Sequence, residues 1–266
     1  MSGMFSGKVV VITGAARGIG RNIASRFAVT GALVAVVDRD KDSGSTTVRD
    51  LQALGHSAVF VQGDLVLPDV PASIIKKIVL EHGRIDVLVN NARARGGRDF
   101  LQETPATWDE SVNVGLRAAF FASQAAIREM GARGGGVIVN ISSIAGLMAT
   151  HESPSYHAAK AGLIQLTRYL AVCAGSAGVR VNCVCPGFIV QDEHRTRFES
   201  SDNTAYRADA NAIHPLRQVG TANDVADAVL FLSSPQAAFV NGHVLVLDGG
   251  ATLIEQFGLI RASRED

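Results

Sequence analysis

Tyr156 and Lys160 stand four positions apart in Tyr156-His157-Ala158-Ala159-Lys160, the spacing that sets two side chains on one face of a helix. A free phenol ionises at about pH 10, too high for a base at neutral pH, and an ammonium beside it favours the phenolate. Such a pair can take and return a hydroxyl proton. Ser143 closes the apolar run Val137-Ile138-Val139-Asn140-Ile141, which reads as a strand, and a strand end is a usual place for a group that grips a reacting oxygen. A tyrosine and a lysine at this spacing are, by themselves, more often a half-buried ring and a solvated amine, so the reading depends on the elements around them.

The first of these elements is Val9-Val10-Val11-Ile12 running into Thr13-Gly14-Ala15-Ala16-Arg17-Gly18-Ile19-Gly20, after which Ile23, Ala24 and Phe27 take up a helical period. A strand, a glycine turn and a helix start read either as a plain glycine-rich turn or, given their place after the first strand, as a cradle for a pyrophosphate, whose charge suits the unpaired N–H groups of the helix. The second apolar run, Ala32 to Val37, closes on Asp38, where a dinucleotide fold places an acid against the adenosine ribose. A carboxylate there repels a 2′-phosphate and favours NAD, while Arg17 and Arg39 nearby keep NADP as the alternative. Asp64 follows the third strand (Ala58 to Gln62), with an adenine contact and a turn or cap as its two readings.

Helices are expected over Lys41–Leu54, Pro71–Gly83, Thr107–Gly131, Pro154–Ala174 and Ala222–Leu232, and further strands over Ile85–Val89, Val179–Val184 and Val244–Leu247. Their alternation with short connections calls for a doubly wound parallel sheet covered by helices on both faces, an α/β Rossmann fold in a single domain spanning 1–266. Asn113, inside an apolar helix, has two readings: a backbone hydrogen bond, or a water held near Lys160. Residues 189–215 lose periodicity and turn polar, as a substrate lid would. The tail, 251–266, carries Leu253, Ile254, Phe257, Leu259 and Ile260 and is expected to pack on its own subunit or a neighbour.

Composition narrows the partners. Twenty-five basic residues balance 25 acidic ones, and with no basic strip, nucleic acid is not an expected partner and a small molecule is. No apolar run approaches the ~20 residues that span a bilayer, so a cytoplasmic protein without membrane contact is expected. His and acidic residues form no metal-ligand spacing, and Cys173, Cys183 and Cys185 read as buried thiols, the last two sharing one strand face.

Taken together, the glycine pattern, Asp64, Asn90-Asn91-Ala92, Asn113, Ser143, Tyr156 with Lys160, Pro186-Gly187 and Asp248-Gly249-Gly250 resemble the short-chain dehydrogenase/reductase family over essentially the whole chain. The resemblance implies a nicotinamide-dependent oxidoreductase acting on CH–OH groups, and a dimer or tetramer joined through the helices carrying Asn113 and Tyr156. It implies Tyr156 as acid/base, Lys160 lowering its pKa and holding the nicotinamide ribose, Ser143 polarising the substrate oxygen and Asn113 positioning a water. It also implies cofactor contacts from Gly14, Arg17, Gly18, Ile19, Gly20, Asp38, Asp64, Leu65, Asn91, Pro186, Gly187 and Ile189. The expected reaction is NAD-linked hydride transfer to or from a secondary alcohol or ketone, polar or anionic and cyclic. The alternatives are an NADP-dependent ketoreductase of the acyl-thioester or polyketide type, and a non-catalytic cofactor sensor. The sequence departs from the family at Arg93, where glycine is usual, and at Gln191, where threonine is. Arg93, Arg95 and Arg98 are candidates for an anionic substrate group, and Met148, His151 and Glu152 for the pocket wall.

Overall fold

The computed structural model describes residues 3–94, 100–255 and 258 of the chain. Strand β1 (Val9–Thr13), helix α1 (Gly18–Val29), β2 (Leu33–Asp38), α2 (Lys41–Ala53), β3 (Ala58–Gln62), α3 (Val70–His82) and β4 (Val87–Asn90) form the first half. The second half runs through α4 (Pro105–Val112), α5 (Ala118–Gly131), β5 (Gly136–Ile141), α6 (Pro154–Ala174) and β6 (Val179–Pro186). Then come β7 (Ile189–Val190), α7 (Asp192–Glu199), α8 (Thr204–Ala212), β8 (Gly220–Thr221), α9 (Ala222–Ser233) and β9 (Val244–Leu247).

Seven strands pair in parallel in the order β3-β2-β1-β4-β5-β6-β9. The chain is the expected doubly wound α/β sheet. Parallel strands need helices on both faces, which is why their residues are apolar without alternation. In β1, Val10 and Ile12 join α1, α2 and α9 through Ile23, Phe27, Val48 and Val229, whereas Val9 and Val11 join α3, α5 and α6 through Ile78, Met130 and Leu170. The order turns outward on either side of β1 and β4, which opens a crevice beyond the strands' carboxyl ends.

Two expected boundaries differ in an informative way. The helix expected over 107–131 begins at Pro105, capped reciprocally by Thr104 and Thr107, and a π-helical turn interrupts it at Asn113–Arg117. A π-bulge leaves hydrophobic periodicity nearly intact, so apolar spacing does not reveal it. It falls where Gly115 lies so close to α6 that an added Cβ would stand 3.3 Å from Ala159 Cβ. The polar stretch 189–215 folds into α7 and α8. No residue of α7 is buried, which is why no amphipathic period marks it, and the stretch gathers instead round the rings of Phe188, Phe198 and Tyr206, 6.2–6.4 Å apart. Strands β7 and β8 pair through Ile189 with Gly220 and Val190 with Thr221, so the start of this stretch is joined to residues just beyond its end.

Cys183 and Cys185 are buried on one face of β6 with Sγ atoms 3.9 Å apart, whereas Cys173 is exposed on α6 and is not the buried thiol expected. In the tail, Leu253 is 87% exposed on the single chain; Phe257, Leu259 and Ile260 lie outside the described residues. No described helix is long and apolar enough to cross a membrane.

A fully buried polar chain ties α6 to the strands. Asn90 Nδ2 donates to Asn140 Oδ1 (2.8 Å), Asn140 Nδ2 to Thr167 Oγ1 (2.9 Å), and Thr167 Oγ1 to Leu163 O (2.8 Å). Replacing one member leaves its partners desolvated and unpaired. Asn140→Leu is expected to lower the unfolding free energy by about 2–4 kcal/mol in urea titrations; a change below 0.5 kcal/mol would show that the chain contributes little.

Candidate active site

The crevice is a cavity of about 720 Å³, within the range that encloses a cofactor-sized ligand. One end is walled by Arg17, Asp38, Arg39, Asp64 and Leu65, and the other by Ser142, Ser143, Glu152, Tyr156 and Lys160. Gly14, Ile19, Gly20, Asn91, Pro186, Gly187, Ile189 and Gln191 line the same space. Of the expected catalytic and cofactor residues, only Gly18 and Asn113 do not line it. Gly18 lies beneath the Gln191 side chain, and Asn113 opens the π turn one position before the cavity-lining Val114.

The glycine turn is shaped by close approach. At Gly14 φ is +64°, and a Cβ would stand 2.8 Å from Ala92 Cα, so only glycine lets β1 and β4 finish side by side. Asn91 spans that gap: its Nδ2 donates to the carbonyls of Thr13 (2.9 Å) and Gly14 (3.0 Å). Asp38 is held by backbone donors, Ala16 N at 3.1 Å and Asp40 N at 3.0 Å. It does not cap α2; Asp40 does, accepting from Ser43 N. Asp64 accepts from Val66 N at 3.1 Å and so makes the turn that was one of its two readings.

At the other end Ser153 caps α6 by accepting from the backbone N–H of Tyr156 at 3.2 Å, with Pro154 in the first turn. The cap therefore sets the residue that carries the phenol. His157 locks the preceding loop: its Nε2 accepts from Thr150 N (2.9 Å) while Nδ1 donates to Ser153 O (2.8 Å). Sequence reasoning missed this role because the loop contact depends on packing. Of the three wall candidates in that loop, Glu152 lines the cavity, whereas Met148 and His151 do not and are exposed.

Lys160 is 2% exposed. Its Nζ donates to Ile141 O at 2.7 Å and lies 5.5 Å from the centre of the Tyr156 ring, so the two side chains share a face as their spacing requires. Burial, helped by the Arg93 guanidinium, lowers the lysine pKa to about 8. Arg93 is exposed, with its guanidinium 6.0 Å from the centre of the ring. The phenol differs from expectation: burial pushes its pKa above the ordinary value, against the lowering pull of Arg93 and of the Ser143 hydroxyl. Desolvation costs the phenolate more than the nearby cations return while Lys160 itself is desolvated. Arg95 and Arg98 lie outside the described residues, which contain no cluster able to hold a metal.

A family model described as enoyl-(acyl carrier protein) reductase, of the short-chain dehydrogenase/reductase group, matches residues 14–252. The chain belongs to the short-chain dehydrogenase/reductase family. It is 38% identical to an oxidoreductase of Thermotoga maritima, covering 94% of this chain and 99% of the relative. It is 34% identical to a 3-oxoacyl-(acyl-carrier-protein) reductase of Chlamydia muridarum (94% and 99%) and 36% identical to cis-4-hydroxycyclohexanecarboxylate dehydrogenase of Sinomonas cyclohexanicum (96% and 100%). Among solved structures, a protein assigned as a short-chain alcohol dehydrogenase from Sinorhizobium meliloti 1021 superposes with a TM-score of 0.86 at 32% identity, covering 95% of this chain and all of that one. The protein is thus a dehydrogenase/reductase acting on CH–OH groups, of a family that uses a nicotinamide cofactor. The cavity fits that group: glycines bring backbone close at its middle, and a carboxylate and a phenol mark its ends.

Lys160 yields a test without cofactor. Its folded-state pKa of about 8 lies below the ordinary 10.5, so between those values the unfolded chain keeps a proton that the folded chain has released. Stability then rises with pH across that window, and the full cost of the buried charge is felt below it. From pH 8 to 10 the unfolding free energy of the wild type should gain on the order of 2 kcal/mol relative to Lys160→Met, measured by urea titration at each pH; parallel curves would refute the burial of the amine.

Proposed function

We propose that the protein is an NAD-dependent dehydrogenase or reductase of a secondary alcohol or ketone, with a polar or anionic cyclic substrate. The observation that carries this reading is the convergence of Tyr156, Ser143, Lys160 and Asp38 on one cavity. The cofactor, when bound, accepts or supplies the hydride. Tyr156 takes the hydroxyl proton in oxidation and returns it in reduction, at an atom its helix cap holds in place. Ser143 fixes the substrate oxygen beside the phenol, and Asn113 keeps a water in the proton path. Lys160 lends positive charge to the phenolate and holds the nicotinamide ribose, and the cavity wall excludes bulk water.

Asp38 supports NAD over NADP because a carboxylate at the ribose repels a further phosphate. The two arginines that could offset it are paired with acids, Arg17 with Asp40 at 3.4 Å and Arg39 with Glu110 at 3.3 Å. The similarity to a 3-oxoacyl-(acyl-carrier-protein) reductase keeps an NADP-dependent ketoreductase as the second reading. For the substrate, Arg93 offers a guanidinium at the Tyr156 end of the cavity, suited to a carboxylate, and one relative is named for oxidising a hydroxycyclohexanecarboxylate. Exposed Phe121, Tyr169 and Val172 on α5 and α6 support a homo-oligomer joined through those helices.

Tyr156→Phe should lower kcat by about 10²–10⁴-fold with NADH affinity unchanged by fluorescence titration, and a fully active variant would remove Tyr156 from the acid/base role. Arg93→Ala should raise KM about tenfold or more for cis-4-hydroxycyclohexanecarboxylate and leave KM for cyclohexanol unchanged; equal effects on both would end the anion reading.

A further inference from the structure

The first turn of α7 is seated on the first turn of α1. Glu193 Oε1 accepts from the backbone N–H of Gly18 at 2.7 Å, and Asp192 Oδ2 accepts from Asn22 Nδ2 at 2.9 Å. Gly18 has φ +56°, and a Cβ on it would collide with the side-chain oxygen of Gln191, so three consecutive residues of the 189–215 stretch press on the start of this helix. Helix α1 has no cap of its own: Arg17 makes no capping bond, and its first turn carries no acid. Its N–H groups and positive dipole end are therefore open to an anion from elsewhere, and the carboxylate of Glu193 fills that role in a charge-assisted hydrogen bond.

The glycine turn that leads into α1 is also where the dinucleotide reading seats the cofactor's pyrophosphate. Two anions cannot share one set of donors without repulsion. We propose that Glu193 is a determinant of cofactor affinity: without dinucleotide its carboxylate holds the anion seat at Gly18, and the cofactor must displace it, so that dinucleotide occupancy is coupled to the position of residues 189–215. This rests on the dinucleotide reading of the cavity. The cost of displacement lowers apparent affinity by the fraction of molecules in which the seat is open. Glu199, on the last turn of the same helix, lies 3.6 Å from Arg195 and has no part in the contact, which makes it the control.

The test titrates NADH and NADPH by fluorescence into the wild type, Glu193→Ala, Glu193→Gln and Glu199→Ala, and follows timed trypsin cleavage after Arg195 and Arg197 in the cofactor-free proteins. Glu193→Ala is expected to bind the preferred dinucleotide about tenfold more tightly than the wild type, a shift equal to about 1.4 kcal/mol, and to be cleaved faster. Glu193→Gln, which keeps an acceptor without the charge, is expected to fall between, and Glu199→Ala to match the wild type. Measurable wild-type binding with equal or weaker binding by Glu193→Ala, or cleavage of that variant at the wild-type rate, overturns the inference and leaves the dehydrogenase reading standing. Absence of binding of either dinucleotide by all four proteins removes that reading and the inference with it.

Discussion

A lysine ammonium enclosed by protein must find an acceptor or lose its proton, and the geometry of this site follows from how Lys160 meets that demand. Its acceptor is the last carbonyl of β5, Ile141 O. Ser142, the next residue, donates its hydroxyl back to the Lys160 carbonyl at 2.8 Å, so the end of the strand and the middle of the helix are tied in both directions. Two turns along α6, Thr167 is bound to Asn140 of the same strand. These ties fix how α6 is rotated against β5. With rotation fixed, Tyr156 must look into the cavity and Ser143 must stand beside it.

The resulting electrostatics are finely opposed. Burial works against charge on both Tyr156 and Lys160, raising one pKa and lowering the other. The Arg93 guanidinium, 6.0 Å from the ring centre, pulls both values downward. A chain with glycine there would leave the phenol facing its buried amine alone. The departure from the family pattern thus changes the field at the reacting atom as well as the shape of the pocket.

Much of this could be read from residue order, and the divisions follow from physics. Apolar runs between turn residues mark strands even at the sheet's edges, so β3 and β9 begin and end where the sequence suggests, as does α6 behind Pro154, and the Tyr156–Lys160 spacing carries directly into geometry. The π turn at Asn113 was hidden because one extra residue scarcely disturbs a helical stripe. Helix α7 was hidden because none of its residues is buried, leaving nothing for a period to reflect. The seats of His157 and Glu193 depend on partners, Thr150 and Gly18, that only the folded chain brings near. The net direction of the phenol's pKa is not legible because spacing records the neighbour's charge but not how much water both groups have lost.

The two-residue pairing of β7 with β8 has a wider consequence. It clasps the segment between them at its base, so that the entropy of loop closure there depends only weakly on how many residues lie above the clasp. That segment is organised round Phe198 and Tyr206 with Phe188 at its base, apart from the two apolar layers of the sheet. Residues above the clasp that do not touch α1 or the cavity can therefore change in number and kind at little cost to the sheet and the proton-handling helix, an arrangement that lets one scaffold be refitted to new alcohols.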